Sequence, residues 1–143
     1  MSVDNITAPA PDDVARALMA GDRCAQSHGI ECRDIDEGYA VMAMTVRDDM
    51  SNTLGICHGG IIFMLADTAL AYAASATNQA SITTTANISY PTAARSGDTL
   101  VAECWVAHHA GKAGIYDVVV RREDEQLVAV FRGNVLRTGA NIL

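Results

Sequence analysis

Apolar positions recur along this 143-residue chain with two periods. Near the start, Val14, Ala17 and Leu18 form one helical stripe, which predicts a short helix over residues 11–26. Further along, the period changes to two, as in a strand. One or two strands are predicted before residue 48. The strands with the clearest alternation are predicted over residues 38–47, 81–90, 99–110, 115–122 and 127–137.

The longest apolar run interrupts this alternation. Residues 57–77, "CHGGIIFMLADTALAYAASAT", are apolar almost all round, which is typical of a buried helix covered on more than one side. The run approaches the ~20 residues that a membrane span needs. Asp67 lies near its centre and no basic residues flank it. We therefore interpret the run as a buried helix and expect no membrane association.

This order of elements predicts an α+β fold. Short connections favour antiparallel neighbours, so a five- to six-stranded antiparallel sheet is expected, arranged as a meander with the long helix on one face. Such a sheet covers only one side of the helix. A second copy of the chain is the simplest cover for the remainder.

Composition excludes several classes of function. The formal net charge of −7 argues against a nucleic-acid partner, because phosphate binding needs clustered Lys and Arg. The four cysteines form no CxxC pair and no compact disulfide framework, so we expect reduced thiols in the cytoplasm. No group of residues has metal-ligand spacing, and no glycine-rich phosphate loop appears, so neither a metal nor a cofactor is expected.

Asp67 is the clearest candidate for chemistry. Its neighbours one helical turn away are apolar, so the carboxylate is either desolvated or hydrogen-bonded by groups from elsewhere. One interpretation is a carboxylate that caps a neighbouring loop. The other is a catalytic base or nucleophile, since a carboxylate in an apolar cleft suits that work.

The start of the long helix is the second candidate. Gly59 and Gly60 let a ligand approach the backbone, and their N–H groups lie at the positive end of the helix dipole, where an anion or an oxyanion binds. A plain loop-to-helix turn is the alternative. His58 either contacts a ligand or fixes this turn by hydrogen bonding, and we favour the supporting role.

Spacing links the two candidates. Gly59 and Asp67 are eight residues apart on one helix, which places them roughly 12 Å apart. Groups that act on one carbonyl must lie about 3 Å from it. If both residues serve one reaction, Gly59 of one chain must face Asp67 of another.

Two neighbouring segments offer polar groups. Asn52, in the loop before the helix, could position a water or the Asp67 side chain, although a plain loop Asn is the more common case. Thr83, Thr84 and Thr85 follow the helix, and an inward hydroxyl could hold a nucleophilic water. Thr is also an ordinary strand residue, so the sequence leaves both interpretations open.

The stretch "HGGIIFMLADTALAYA" resembles the helix motif of hotdog-fold acyl-CoA thioesterases of the phenylacetate-degradation (PaaI) type. The most specific element is His-Gly-Gly, six residues, then Asp. "GIECRDIDEGYAVMAMTVRDDM" resembles the family's first strands, and "HHAGKAGIYDVVVRREDEQLVAVFRGNVLRTG" its last three. The resemblance covers residues 23–139. We therefore assign 1–22 to a tail and short helix, and 23–143 to a hotdog thioesterase domain.

The resemblance implies a long central helix wrapped by the sheet, a homodimer with active sites at the interface, and a homotetramer built as a dimer of dimers. It implies hydrolysis of an acyl-CoA thioester, with aryl-acetyl-CoA as the substrate class. Asp67 would act as nucleophile or general base, and the Gly59 N–H would polarise the thioester carbonyl. His58 and Asn52 would position the acyl group and the water, with Thr83 orienting that water.

One segment departs from the family pattern. An aromatic-Leu-Arg-Pro segment often follows the strand, whereas this chain has "SYPTAARSGD", with the Pro shifted and no Arg at that point. Arg95 is the candidate replacement for contact with the CoA moiety. The other candidates for CoA binding are Gly60, Lys112, Arg132 and Arg137.

Two alternatives to a thioesterase are considered. A hotdog hydratase or dehydratase would pair a carboxylate with a catalytic His, and His58 lies at the wrong end of the helix for that role. A non-catalytic acyl-CoA-binding module would not need Asp67.

Overall fold

The computed structural model of the protein describes residues 7–143. Three α-helices and six strands follow one another along this part of the chain, with a short 3-10 turn at Asp48–Met50. The helices are α1 (Pro11–Gly21), α2 (Arg23–Ser27) and α3 (Gly59–Ser75). The strands are β1 (Glu31–Asp36), β2 (Tyr39–Thr45), β3 (Gln79–Ser89), β4 (Thr99–Ala110), β5 (Ala113–Arg122) and β6 (Leu127–Asn141).

The predicted short helix over 11–26 is in fact two helices. Asp22 separates them, because its carboxylate accepts a hydrogen bond from Ala25 N–H (3.0 Å) and so caps α2. Val14 is fully buried, and α1 packs against β1 and α3. Part of the predicted tail, residues 1–6, lies outside the described residues, and the boundary at residue 23 stays a prediction.

All six strands form one antiparallel sheet in the order β1-β2-β4-β5-β6-β3. The prediction of a five- to six-stranded antiparallel sheet is confirmed, but the prediction of a simple meander is wrong. Strand β3 does not pair with β4, which follows it in the chain. It pairs with β6 at the far edge, because α3 has carried the chain across the sheet.

Helix α3 lies across this sheet and contacts every strand. Phe131 and Gly133 of β6 face the helix. The Phe131 ring meets Phe63 edge to face at 5.3 Å, and a Cβ at Gly133 would overlap Leu70. The core that results joins α3 to four strands through Leu65, Leu70, Met42, Met44, Leu100, Val118, Val120 and Val128.

The sheet leaves one stripe of α3 incompletely covered. Ile61, Met64, Asp67, Thr68 and Ala71 are only half-buried, and they recur at helical spacing. Helix α2 covers part of this stripe, where Cys24 Sγ lies 3.3 Å from Met64 Sδ. The stripe also carries the one acidic residue of the helix.

Candidate active site

The Asp67 side chain projects from α3 towards the edge strand β3. Thr83 Oγ1 donates a hydrogen bond to Asp67 Oδ1 (2.8 Å). Among residues 7–143, no Lys, Arg or His forms an ion pair with Asp67, and Oδ2 accepts no hydrogen bond. The structure thus gives Asp67 a hydroxyl partner from another element, and one carboxylate oxygen remains available to a ligand or a water.

An irregularity in β3 determines which of the three threonines faces Asp67. The pairing with β6 shifts between Thr83 and Thr85, so Thr84 is an extra residue in the strand. Such a bulge re-aims side chains locally. Thr83 consequently points to the helix, while Thr84 Oγ1 donates to the carbonyl of Asn134 (3.3 Å).

At the start of α3, His58 is the residue that precedes the first helical turn. Its Nδ1 accepts a hydrogen bond from Gly60 N–H (3.1 Å), and its carbonyl accepts from Ile61 (3.0 Å) and Ile62 (3.3 Å). The hydrogen bond expected for a supporting His58 is therefore present. Because Gly60 N–H is engaged, that donor is not free for a CoA ligand in this conformation.

The Gly59 N–H differs from its neighbour. It donates no hydrogen bond within residues 7–143. It is the first N–H of α3 and lies at the positive end of the helix dipole. A carbonyl oxygen or an oxyanion placed there would supply the missing acceptor.

Asn52 organises the loop before α3. Its Oδ1 accepts hydrogen bonds from Leu54 N–H (2.9 Å) and Ile56 N–H (3.3 Å). The side-chain amide nitrogen donates to no partner in the described part of the chain, so it remains free to bind a water or a substrate. Within one protomer Asn52 does not contact Asp67.

A cleft of about 250 Å³ opens beside Gly59. Its lining is mostly apolar and includes Ile56, Ile62, Tyr90 and Ala93, together with Asn52. Asp67 does not line it. The candidate residues therefore form two groups within one protomer, one at the start of α3 and one at its middle, as the spacing of Gly59 and Asp67 predicted.

The sequence did not single out Tyr90. Its hydroxyl donates to the Gly59 carbonyl (2.7 Å), and its ring lies against Gly59. A Cβ added at Gly59 would be 3.2 Å from Tyr90 Cζ, so a larger residue here would require a small shift of the Tyr90 ring. The one sequence signal for Tyr90 was the aromatic residue in "SYPTAARSGD". This signal did not reveal the contact with Gly59, because the two residues are 31 positions apart.

Arg95 is the one basic candidate for CoA binding that lies at this end of the protomer. Its Nη1 lies 3.5 Å from the Gly55 carbonyl, beside the loop that lines the cleft. Its side chain forms no ion pair among the described residues. A guanidinium in this position is available for a phosphate.

The other basic candidates lie elsewhere. Arg132 projects from the sheet face opposite α3 and is paired with Asp117 (Nε to Oδ1, 2.7 Å), which holds the pKa of that carboxyl below its usual range. Lys112 lies in the turn between β4 and β5. Its carbonyl accepts a hydrogen bond from the backbone N–H of Arg137 (2.8 Å). Arg137 adjoins the last turn of α3, roughly 20 Å along the helix from Gly59.

A thiol also lines the cleft, but it is poorly suited to nucleophilic attack. Burial, with the nearby Asp98 carboxylate, raises the pKa of Cys57 to about 11. The thiol is therefore protonated near neutral pH, and a thiol attacks only as the thiolate.

Two further features are absent from residues 7–143. No group of three or more His, Cys, Asp and Glu side chains there is arranged to hold a metal ion. None of the helices in that part of the chain combines the length and hydropathy of a membrane span.

Comparison with known proteins identifies the family. The thioesterase superfamily model matches residues 54–129, just over half of the chain. The acyl-coenzyme A thioesterase PaaI of Escherichia coli (strain K12) is 39% identical over 128 residues, which cover 90% of this chain and 91% of that protein.

Solved structures of similar proteins superpose on this chain. The E. coli PaaI protein from the phenylacetic acid degradation operon superposes with a TM-score of 0.90 at 37% identity, covering 92% of this chain and 95% of its own. A Streptococcus mutans UA159 protein, solved bound to acetyl CoA, superposes with a TM-score of 0.75 at 26% identity, covering 78% and 90%. The chain therefore belongs to the thioesterase superfamily and, within it, to the hotdog-fold acyl-CoA thioesterases of the PaaI type.

Proposed function

We propose that this protein hydrolyses aryl-acetyl-CoA thioesters, such as phenylacetyl- or hydroxyphenylacetyl-CoA, at a site shared by two chains. The observation that carries the proposal is the Asp67 carboxylate, which Thr83 orients on a half-covered helix face with one oxygen free. Family membership supports the reaction class. The apolar cleft beside Gly59, walled by Tyr90, supports an aromatic acyl group.

A homodimer is proposed as the smallest active unit, because one protomer keeps the two groups of residues roughly 12 Å apart. Strand β3 is a long edge strand, and Ile82 on it is 55% exposed. Among residues 7–143 its outer edge pairs with nothing, which makes it a template for a second chain. An antiparallel partner would bring a second α3 towards the first and place each Asp67 near the other chain's Gly59.

A tetramer, formed as a dimer of dimers, is also proposed. Trp105, Val130 and Leu136 expose apolar surface on the sheet face away from α3. Apolar surface of this kind supports a further contact between copies.

The reaction follows from the groups at the shared site. The thioester carbonyl oxygen accepts the Gly59 N–H of one chain, which stabilises negative charge as it develops on that oxygen. As a general base, Asp67 of the other chain takes a proton from water while the water oxygen bonds to the acyl carbon. The C–S bond then breaks, and the CoA sulfur leaves with that proton. Thr83 and Asn52 orient the carboxylate and the water.

A nucleophilic route uses the same geometry. Asp67 bonds to the acyl carbon directly and CoA leaves as the thiolate. Water then cleaves the resulting anhydride, which regenerates the carboxylate and releases the proton that the thiolate takes up. Label found in the Asp67 carboxyl after a single turnover in ¹⁸O-labelled water identifies the nucleophilic route. Label enters the Asp67 carboxyl only when water cleaves the anhydride at the aspartyl carbon, and it enters the acid product in the general-base route.

The test is a panel of aryl and straight-chain acyl-CoA substrates, assayed by release of the CoA thiol. We expect the aryl-acetyl esters to have the highest kcat/KM. The nearly isosteric Asp67→Asn should lower kcat by roughly 100-fold or more with the fold and oligomer intact, since it removes the base. Asp36→Asn, at an exposed carboxylate of β1, is the matched control and should be as active as wild type.

A fully active Asp67→Asn protein would contradict the catalytic assignment. Wild-type protein that binds acyl-CoA esters and releases no thiol would be a binding module instead. Addition of water to an enoyl-CoA without thiol release would identify a hydratase.

A further inference from the structure

The peptide that joins Gly59 to Gly60, in the first turn of α3, is held at both of its polar groups. On one side, His58 Nδ1 accepts the Gly60 N–H (3.1 Å). On the other, the Tyr90 hydroxyl donates to the Gly59 carbonyl (2.7 Å). The Gly59 N–H belongs to the preceding peptide and donates no hydrogen bond among residues 7–143.

These contacts are needed because the backbone of this turn is intrinsically flexible. Two consecutive glycines have more backbone freedom than any other pair of residues, and the first turn of a helix lacks half of its hydrogen bonds. The Gly59 N–H lies in the peptide plane that contains the His58 carbonyl, and the Gly59 Cα links this plane to the Gly59–Gly60 plane. His58 belongs to the first plane, and Tyr90 contacts the carbonyl of the second.

Tyr90 is well placed to supply rigidity. It directly follows β3 and precedes Pro91, whose ring restricts the local backbone. Its ring leaves no room for a Cβ at Gly59 without a shift, since that atom would lie 3.2 Å from Cζ and 3.3 Å from the hydroxyl oxygen. The side chain is nevertheless 45% exposed on the cleft side, so it can meet a ligand as well as Gly59.

We propose that Tyr90 is a positioning residue for the reaction: its hydroxyl holds the Gly59–Gly60 peptide, limits rotation at the Gly59 Cα, and so keeps the adjoining Gly59 N–H directed towards the substrate carbonyl. This inference rests on the proposed thioester hydrolysis. A donor aimed in advance stabilises the transition state more than a mobile one, because no reorganisation accompanies the reaction. Tyr90 therefore acts through Gly59 and takes no proton itself.

The experiment compares Tyr90→Phe with Tyr39→Phe. Tyr39 loses the same hydroxyl, but that group donates to Glu103 (2.7 Å), away from α3. We expect Tyr90→Phe to lower kcat roughly threefold to tenfold with KM within twofold, as for the loss of one orienting hydrogen bond. Tyr39→Phe should equal wild type. Tyr90→Leu, which also removes the ring, should lower kcat and raise KM.

A second measurement separates positioning from general stability. The NMR order parameters of the Gly60 amide, which belongs to the peptide that Tyr90 contacts, and of the adjoining Gly59 amide should fall in Tyr90→Phe, while those of amides in the last turn of α3 should not change. Wild-type kcat in Tyr90→Phe, or an unchanged Gly59 order parameter, would overturn the inference. A wild-type protein that releases no thiol from any acyl-CoA overturns the proposed function itself, which is a different result.

Discussion

The start and the middle of helix α3 present two different kinds of polar group. At the start, the group is a backbone donor, Gly59 N–H, and its surroundings are a side-chain cap and an aromatic ring. At the middle, the group is a side-chain acceptor, Asp67, and its one partner is a hydroxyl from β3. A donor for an oxyanion and an acceptor for a proton are the two halves of a hydrolytic site.

Both halves depend on the same edge strand. Thr83 lies near the beginning of β3 and holds Asp67, while Tyr90 directly follows its end and holds Gly59. The strand is also one of the two edge strands of the sheet in the described part of the chain. A second chain that paired with β3 would therefore affect the donor and the acceptor together, which links assembly to activity.

The largest expected effect comes from removing the two halves in separate chains. Gly59→Pro deletes the N–H at a helix position where Pro is tolerated, and His58 already has the extended conformation that precedes a Pro. We expect kcat roughly 100-fold below that of Gly59→Ala, which adds a Cβ near Tyr90 but keeps the donor.

Mixing Gly59→Pro chains with Asp67→Asn chains should then restore activity. Each mixed dimer contains one site with both intact groups, so random exchange should restore roughly a quarter of the wild-type activity. The activity of the refolded mixture, with mixed dimers verified by native mass spectrometry, is the measurement. Mixed dimers without any recovered activity would place Gly59 and Asp67 in one chain's site, or in no site at all.

A smaller effect is expected from the hydroxyl that orients the acceptor. Thr83→Val keeps the shape of the side chain and leaves Asp67 without its hydrogen bond, so kcat should fall roughly tenfold. Thr83→Ser should recover most of this loss. Thr84→Val is the matched control, because its hydroxyl bonds to the Asn134 carbonyl instead.

Steady-state kinetics on the best substrate of the panel decide this point. Equal losses in Thr83→Val and Thr84→Val would show that strand stability matters rather than the orientation of Asp67. A Thr83→Ser protein as slow as Thr83→Val would argue against the hydroxyl as the active feature.

The two halves also differed in how far sequence could predict them. Asp67 stood out because a charge in an apolar helix is costly without a partner. The partner itself was harder to predict, because three successive threonines alternate their directions and a bulge decides which one faces inward. The family resemblance had named Thr83, whereas the residues alone left Thr83, Thr84 and Thr85 equivalent.

At the start of the helix, the sequence indicated that the two glycines are important. It did not indicate which of their N–H groups is free. Which N–H remains free depends on where the His58 ring turns, and that is a matter of three-dimensional geometry. Tyr90 was missed for the same reason, since its contact with Gly59 joins the end of β3 to the start of α3, 31 positions apart in the chain.

The smallest expected effect concerns binding of the CoA moiety of the substrate rather than either half of the site. Arg95 is the basic candidate beside the cleft, and its guanidinium forms no ion pair among the described residues. Arg95→Gln should raise KM for an acyl-CoA ester by roughly threefold and leave kcat unchanged, because it removes one exposed phosphate contact. Arg23→Gln, at an exposed position of α2, is the control.

Comparing two thioesters of the same acyl group makes this test specific. The acyl-pantetheine ester lacks the CoA phosphates, so Arg95→Gln should leave its KM unchanged. Added salt should narrow the difference between wild type and variant for the CoA ester only, since it screens exposed charges. A KM increase of equal size for both esters would show that Arg95 supports the loop at Gly55 instead of binding phosphate, and the CoA contact would then have to come from another residue of the dimer.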